Sequence, residues 1–422
     1  MYRVVSQKLT EWKDSTRRKP LILRGARQVG KTWLVENFLA DEFDNYAKID
    51  FEQRRDLHTV FDGDLEPKKL ISRLELETGR IVPGKTLLFF DEIQACPHAI
   101  ISLRYFYEQM PDLHVIAAGS LLEFAFGEIS IPVGRVQYLH IHPLNFHEYL
   151  LASGNEVLAE YYLKHPSEVD ESVQKKLLDE LKLYFFIGGM PEAVKVWTNT
   201  GSLIEVGAVQ GEILDSYRDD FSKYRPQVDL SCLDSVFLNS AKSAGEQLKY
   251  VKLGPGHSGQ QNKKAFELLE KAKIVKRIPS ADPSGLPLGA SANMRKFKAS
   301  FIDIGLLQKL CGLSIDSELK QSDLLAIYRG KLAEQFTAQE ILSVTDSELY
   351  YWAREAKSSS AEVDYIVVKD GEIYPVEVKS GAAGRLKSLH LYLQTYRSSP
   401  FGIVLYDGVY KELSEQKLVF MP

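Results

Sequence analysis

The sequence predicts an α/β chain that opens on a parallel sheet, continues through helices and closes on a second α/β unit. Three observations carry that prediction. Leu21-Ile22-Leu23, Thr86-Leu87-Leu88-Phe89-Phe90 and His114-Val115-Ile116-Ala117-Ala118-Gly119 are apolar runs without polar alternation, the pattern of strands covered on both faces. Apolar residues recur at helical spacing across Leu177 to Phe186 and again across Phe266 to Val275. Near the end, Asp370-Gly371 stands between two alternating runs and reads as a two-residue hairpin turn.

Composition sets the outer limits. A chain of 422 residues with 45% apolar content can bury separate cores, and the usual size prior allows about three domains. The segments expected are 1–150, a nucleotide-binding core; 151–228, a helical lid and linker; 229–312, a helix-and-hairpin module; and 313–422, the closing α/β unit. Cys96, Cys232 and Cys311 lie far apart and in no metal-ligand spacing, which fits reduced thiols and a cytoplasmic chain. The N-terminus has no apolar signal core, and no apolar stretch approaches the ~20 residues a bilayer span needs, so no membrane partner is expected. The oligomeric state is left open.

Directly after the first apolar run comes Gly25-Ala26-Arg27-Gln28-Val29-Gly30-Lys31-Thr32. This is the G-x-x-x-x-G-K-[ST] phosphate-binding loop, Walker A, in a strand-loop-helix setting. A polyphosphate is wrapped by backbone N–H groups, and Gly25 and Gly30 are expected to supply the tight turns. Lys31 would place its ammonium on the β- and γ-phosphates of ATP, and Thr32 would offer a hydroxyl to Mg²⁺. A helix beginning at Trp33 would point its positive end at the anion.

The second apolar run ends in Asp91-Glu92, a Walker B pattern. Asp91 would hold Mg²⁺ and Glu92 would polarise the attacking water, a task for a carboxylate one residue beyond the metal contact. The third run ends in Ser120, the place of a polar sensor of the γ-phosphate, although a Gly-Ser turn also follows many buried strands. Arg135 opens an alternating stretch and could reach a phosphate or serve as a surface charge. His140, His142 and His147 are read as non-ligands, because Pro143 separates the last from the first two and no carboxylate completes the set.

Charge is unevenly spread. The formal net charge is −5, yet residues 249–298 carry eleven Lys and Arg against three Asp and Glu. Helices followed by Lys276-Arg277, a Pro/Gly-rich stretch and Arg295-Lys296-Phe297-Lys298 predict a winged helix-turn-helix touching double-stranded DNA. The competing reading is a solvated linker domain, since Lys and Arg are usual surface residues of helices.

At the C-terminal end, pairing Lys369 with Glu372 across the Asp370-Gly371 turn and counting outward sets Asp364 opposite Glu377 and Glu362 opposite Lys379. Strict alternation puts those four on one face and Val363, Tyr365, Val367, Tyr374, Val376 and Val378 on the other. Side-by-side carboxylates repel unless a cation lies between them, which is natural for Mg²⁺. This is the D…E-x-K arrangement of restriction-endonuclease-like nucleases. Asp364 and Glu377 would bind the metal, Lys379 would orient or activate water, and Glu334 on the preceding helix would complete the pocket. A polar hairpin face exposed to water is the plainer reading.

With these motifs in place, nearly the whole chain resembles bacterial and archaeal AAA-type P-loop ATPases joined to a C-terminal region with a winged helix and a restriction-endonuclease-like end. The resemblance rests on Leu23 to Thr32, Phe90 to Gln94, Gly134-Arg135 before Pro143-Leu144, Gly188-Gly189-Met190-Pro191-Glu192-Ala193-Val194, Phe301 to Leu307, Glu362-Val363-Asp364 and Val376 to Ser380. It implies a P-loop NTPase (AAA-like) parallel sheet with a helical lid, a winged-helix middle domain and a C-terminal restriction-endonuclease-like α/β domain. Gly254-Pro255-Gly256-His257-Ser258-Gly259 departs from the family pattern near the wing. Two functions follow as expectations. One is an ATP hydrolase whose nucleotide state controls a DNA-directed module, with metal-dependent cleavage as its further expectation. The other is a nucleotide-gated binding or scaffold protein with a catalytically inactive nuclease-like end.

Overall fold

The apolar runs form β1 (Leu21–Arg24), β3 (Thr86–Asp91) and β4 (His114–Ala118), joined by β2 (Asn45–Asp50) and β5 (Gln137–His140). The computed structural model describes residues 1–120, 122, 134–222, 228–312, 326–345, 348–356, 359–380 and 386–421. These fall into two units, Tyr2–His142 with Lys271–Lys273, and Pro143–Glu270 with Ile274–Pro422 and Met1.

In the first unit the strand order is β2-β3-β4-β1-β5, and every neighbouring pair is parallel. All five strands therefore end on one edge, and β4 lies between the strand that leads into the phosphate loop and the strand that ends in Asp91. Every residue of β3 is buried, as its uninterrupted apolar run requires. The core on one side is an aromatic chain. Phe51, Phe61, Phe90 and Phe106 follow one another with ring centroids 5.4, 5.8 and 6.1 Å apart, within the range of favourable offset and edge contacts. The helices Pro67–Thr78 and Pro97–Gln109 each carry proline in the first turn, where its missing N–H costs nothing.

The second unit opens on the helix Phe146–Ala152, capped by Asn145 and Glu148 in a reciprocal box. The helix Glu171–Ile187 matches the apolar spacing and stops at Gly188, whose φ of 70° is left-handed. Two sequence marks of the resemblance meet here. Gly189 donates its N–H to Asp303 Oδ2 at 2.6 Å, and Asp303 Oδ1 caps the helix Ile304–Leu310 through the Leu306 N–H at 2.9 Å. A Cβ on Gly189 would lie 1.9 Å from the Leu144 carbonyl oxygen, so only glycine fits this joint. Burial pushes the Asp303 carboxyl up to about 6 despite those backbone donors.

The basic segment folds as the helices Tyr250–Leu253 and Gly259–Lys271, followed by antiparallel β6 (Val275–Ser280) and β7 (Asn293–Phe301). The hairpin does not stand apart as a wing. It joins an eight-stranded sheet through Ser280 and Tyr351, next to β8 (Tyr350–Ala356), β9 (Ser359–Lys369), β10 (Glu372–Val378), β11 (Gly402–Leu405), β12 (Lys411–Leu413) and β13 (Leu418–Met421). The helix Ala326–Val344 packs through Ala338 against Tyr351, Tyr365 and Val376 on one face. The helix Lys387–Thr395 packs through Leu389 and Tyr392 against Trp352, Val363 and Ile366.

The Asp370-Gly371 turn sets the register as expected, with Glu372 opposite Lys369 through Val376 opposite Tyr365. The strict alternation does not survive. Against β8 the pairing passes from Ile366–Tyr350 to Val363–Trp352, so β9 carries one extra residue at Asp364-Tyr365. Val363 and Tyr365, expected on one face, consequently enter different cores. Two of the basic residues expected at the surface are buried as well. Arg277 pairs with Glu270 at 2.7 Å among the Tyr250, Phe266 and Phe297 rings, and Lys298 is 1% exposed. Among the described residues, no helix is long and apolar enough to cross a membrane.

Candidate functional sites

In the first unit the phosphate loop, the end of β3 and the end of β4 share the carboxyl edge of the sheet. Gly30 takes the left-handed conformation, with φ 90°, and Gln28 does so as well, with φ 66°. Gly25 has a different reason to be glycine than the expected turn. A Cβ there would stand 2.3 Å from the Ile141 carbonyl oxygen, so the residue is needed for close backbone approach. Arg3, which the sequence gave no reason to single out, braces the same region by donating to the carbonyls of Val29 at 3.2 Å and His142 at 2.6 Å. Ala26 and Val29 are buried, whereas Arg27 is half-buried.

Lys31 is buried, and its ammonium donates to the Gly25 and Ala26 carbonyls at 3.1 and 2.7 Å, which holds it over its own loop. Thr32 Oγ1 lies 3.1 and 3.0 Å from the two carboxylate oxygens of Asp91. The two side chains expected to share a metal ion are therefore already in hydrogen-bond contact. Burial pushes the Asp91 carboxyl up, opposed by the ammonium of Lys48 at 3.1 Å. Lys48, on β2, also pairs with Glu36 at 2.7 Å; it is a basic residue of the site that no motif announced.

Glu92 has left-handed backbone angles, φ 46° and ψ 45°, a conformation that costs a residue with a side chain ~1–3 kcal/mol and that clusters at active sites as well as in tight turns. Its carboxylate accepts a hydrogen bond from Gln94 Nε2 at 2.5 Å. Gln94 in turn lies so close to the end of β4 that a Cβ on Gly119 would stand 2.0 Å from its Oε1. Ser120, the next residue, is buried at the same edge. Arg135 is placed otherwise: its guanidinium pairs with Glu108 at 3.0 Å on the surface, where Arg104 meets the same carboxylate.

In the second unit Glu334, Glu362 and Asp364 converge, but on a lysine. The Lys298 ammonium is 2.9 Å from Glu334, 2.6 Å from Glu362 and 3.4 Å from Asp364. Asp364 Oδ2 accepts the Val378 N–H at 2.8 Å, which fastens β9 to β10 at the extra residue. Glu377 is buried and pairs with Lys379 at 2.5 Å. Burial first, then the Asp364 charge, push both Glu334 and Glu377 upward, and the neighbouring lysines pull them back. Among the described residues, no three His, Cys, Asp or Glu side chains are arranged to hold a metal ion by themselves.

Comparisons with known proteins agree with the first unit most closely. Residues 17–150 match a family model described as "AAA domain". Residues 178–317 and 329–422 match two others, described as "Domain of unknown function (DUF8612)" and "Domain of unknown function (DUF4143)". A curated relative, "Uncharacterized protein MJ1637" of Methanocaldococcus jannaschii, is 26% identical over 208 residues, which span 46% of this chain and 42% of the relative. Among solved structures, C. elegans PCH-2 aligns at 16% identity and a TM-score of 0.21, over 40% of this chain and 47% of that one. Drosophila ORC bound to DNA aligns at 14% and 0.29 over 73% and 94%. The Thermotoga maritima RuvB Holliday junction branch migration motor aligns at 16% and 0.29 over 65% and 89%. Scores this low carry no conclusion of their own. Over residues 17–150 the family match, the five-stranded parallel sheet and the phosphate loop agree on an AAA-type P-loop domain.

Proposed function

We propose that the chain binds ATP with Mg²⁺ through Gly25 to Thr32 and Asp91, hydrolyses it with Glu92, and uses the nucleotide state to control a DNA-directed module in the rest of the chain. The observation that carries the reading is the contact between Thr32 Oγ1 and both oxygens of Asp91, beside a buried Lys31 on the phosphate loop. A hydroxyl and a carboxylate are the donor types Mg²⁺ takes, and the left-handed Gly30 with the Cβ-free Gly25 leaves backbone close to where phosphates pass. When bound, the ion neutralises charge on the β- and γ-phosphates. Thr32 and Asp91 would hold it, Lys31 would turn its ammonium from the loop carbonyls to the phosphates, and Glu92 would orient a water and accept its proton. Ser120 is the candidate sensor.

The DNA part of the proposal rests on Lys252, Lys263 and Lys264, exposed on or beside the helix Gly259–Lys271. If these residues meet phosphates, duplex affinity should fall steeply as salt rises, because each neutralised phosphate releases condensed counterions. Charge reversal at Lys263 and Lys264 should lower both the affinity and the salt slope by about one unit per lost contact. Fluorescence anisotropy between low and physiological salt measures this, and salt-insensitive or absent binding would leave the scaffold reading. For Asp364, Glu377, Lys379 and Glu334, the scaffold reading is favoured by Lys298, whose ammonium lies among the carboxylates that cleavage would need for a metal.

A further inference from the structure

The acidic pocket of the second unit is built around a charge of its own chain. Lys298 comes from β7, within Phe297-Lys298-Ala299-Ser300-Phe301, of which every residue is buried. Its side chain is 2% exposed, and its ammonium meets Glu362 at 2.6 Å, Glu334 at 2.9 Å and Asp364 at 3.4 Å. The ammonium donates hydrogen bonds to Glu334 and Asp364, and Glu362 adds an ion pair. The Tyr351 and Tyr365 rings, 5.5 and 5.9 Å away, complete its surroundings.

The other oxygens of two of these carboxylates are committed elsewhere. Glu362 Oε2 accepts from Gln247 Nε2 at 2.6 Å, and Asp364 Oδ2 accepts from the Val378 N–H at 2.8 Å. Gly245, with φ 77°, brings the same loop as Gln247 so near that a Cβ would lie 3.0 Å from Glu334 Oε2. Glu377 gives one oxygen to Lys379, while its Oε2 is buried without a hydrogen-bond partner. An ammonium so deeply placed is retained where anions surround it, and a desolvated carboxylate cluster sheds its repulsion either to a cation among its oxygens or by taking up protons. A Mg²⁺ ion with its near-octahedral shell of oxygens at ~2.0–2.1 Å would claim the same volume and the same lone pairs.

We propose that the Lys298 ammonium is the resident cation of this pocket and stands where a divalent ion would sit, so that the intact chain takes up no divalent ion there and loss of the ammonium creates a divalent-cation site from Glu334, Glu362 and Asp364. The inference does not rest on ATP binding by the first unit.

The test uses the full chain without nucleotide, in a Lys31→Ala background that silences the phosphate loop, with Mn²⁺ as the probe followed by electron paramagnetic resonance. The chain with Lys298 should show no Mn²⁺ uptake that Asp364→Asn abolishes. Lys298→Ala should gain one equivalent, bound at least 10-fold more tightly than by the parent and lost again in Lys298→Ala/Asp364→Asn. Lys298→Arg, which keeps a cation, should behave as the parent. Mn²⁺ should raise the melting temperature of Lys298→Ala and leave the parent unmoved. Asp364-dependent Mn²⁺ uptake by the parent, or a folded Lys298→Ala with no gain, would overturn the proposal. Should Lys298→Ala not fold, amine acylation of the native chain decides with the parent titration. Lys298 should resist while Lys263 and Lys264 react, and modification at their rate would overturn it.

Discussion

Glu92→Gln should leave ATP binding within a few-fold of the parent and slow turnover by a factor on the order of 10² or more, about 2.7 kcal/mol of transition-state stabilisation. Glu92 follows the last residue of β3, whose Asp91 is the expected metal ligand, and it holds a left-handed backbone there. Glutamine keeps the length of the side chain and an oxygen that can still accept from Gln94, so the loop should hold its shape. What it loses is the ability to take a proton from water. Single-turnover phosphate release with saturating ATP separates the two properties. Unchanged release would remove Glu92 from the chemistry and shift attention to another carboxylate.

Glu340→Gln should change the pH dependence of stability of the second unit more than any other single substitution proposed here. Glu340 accepts the Phe146 N–H at 2.9 Å, at the start of the helix Phe146–Ala152, and the Tyr162 hydroxyl at 3.4 Å. Burial pushes its carboxyl up to about 8, against the pull of those donors. Unfolded, it would titrate near ~4.3. The folded chain then binds the extra proton between these values. Stability is full below the unfolded pKa and is lost as pH rises through the folded one. The loss approaches ~4–5 kcal/mol across that window, at ~1.4 kcal/mol per unit. Glutamine keeps the acceptor and stays neutral, so denaturant midpoints of variant and parent should agree near pH 4 and diverge progressively to pH 8.5, with the variant more stable. Parallel curves would mean that the folded carboxyl titrates normally.

The parts of this molecule that were legible in the sequence are those in which chemistry or geometry is local. A phosphate loop needs its eight residues contiguous, and Gly25 to Thr32 followed an apolar run that is β1. Asp91-Glu92 was legible because an all-apolar strand had to end somewhere, and parallel packing puts that end beside the loop. The hairpin register was fixed by the Asp370-Gly371 turn alone, five pairs deep. The alternation beyond it was not, since the extra residue at Asp364-Tyr365 answers to β8, a strand outside the hairpin.

Residues delivered by tertiary structure were hidden for the same reason. Lys48 reaches Asp91 from a neighbouring strand, and Arg3 reaches the Val29 carbonyl from 26 residues away. Counting charge over 249–298 placed Lys298 on a basic surface, when its apolar neighbours Phe297, Ala299 and Phe301 were a signal of burial on both faces. Arg135 shows the opposite case. Its position beside a strand was suggestive, and its partner proved to be Glu108, an ordinary surface pair that contributes little.

The most direct test of the central claim is calorimetric titration of the purified full chain with a slowly hydrolysed ATP analogue and Mg²⁺, alongside Lys31→Ala. Lys31 is the side chain whose loss removes the ammonium from the loop while leaving Gly30 in its left-handed turn. The parent should bind one nucleotide per chain, saturably and more tightly with Mg²⁺, and a Lys31→Ala variant of unchanged melting temperature should show no measurable binding. A folded parent chain that binds no nucleotide, or a variant that binds as the parent does, would contradict that claim.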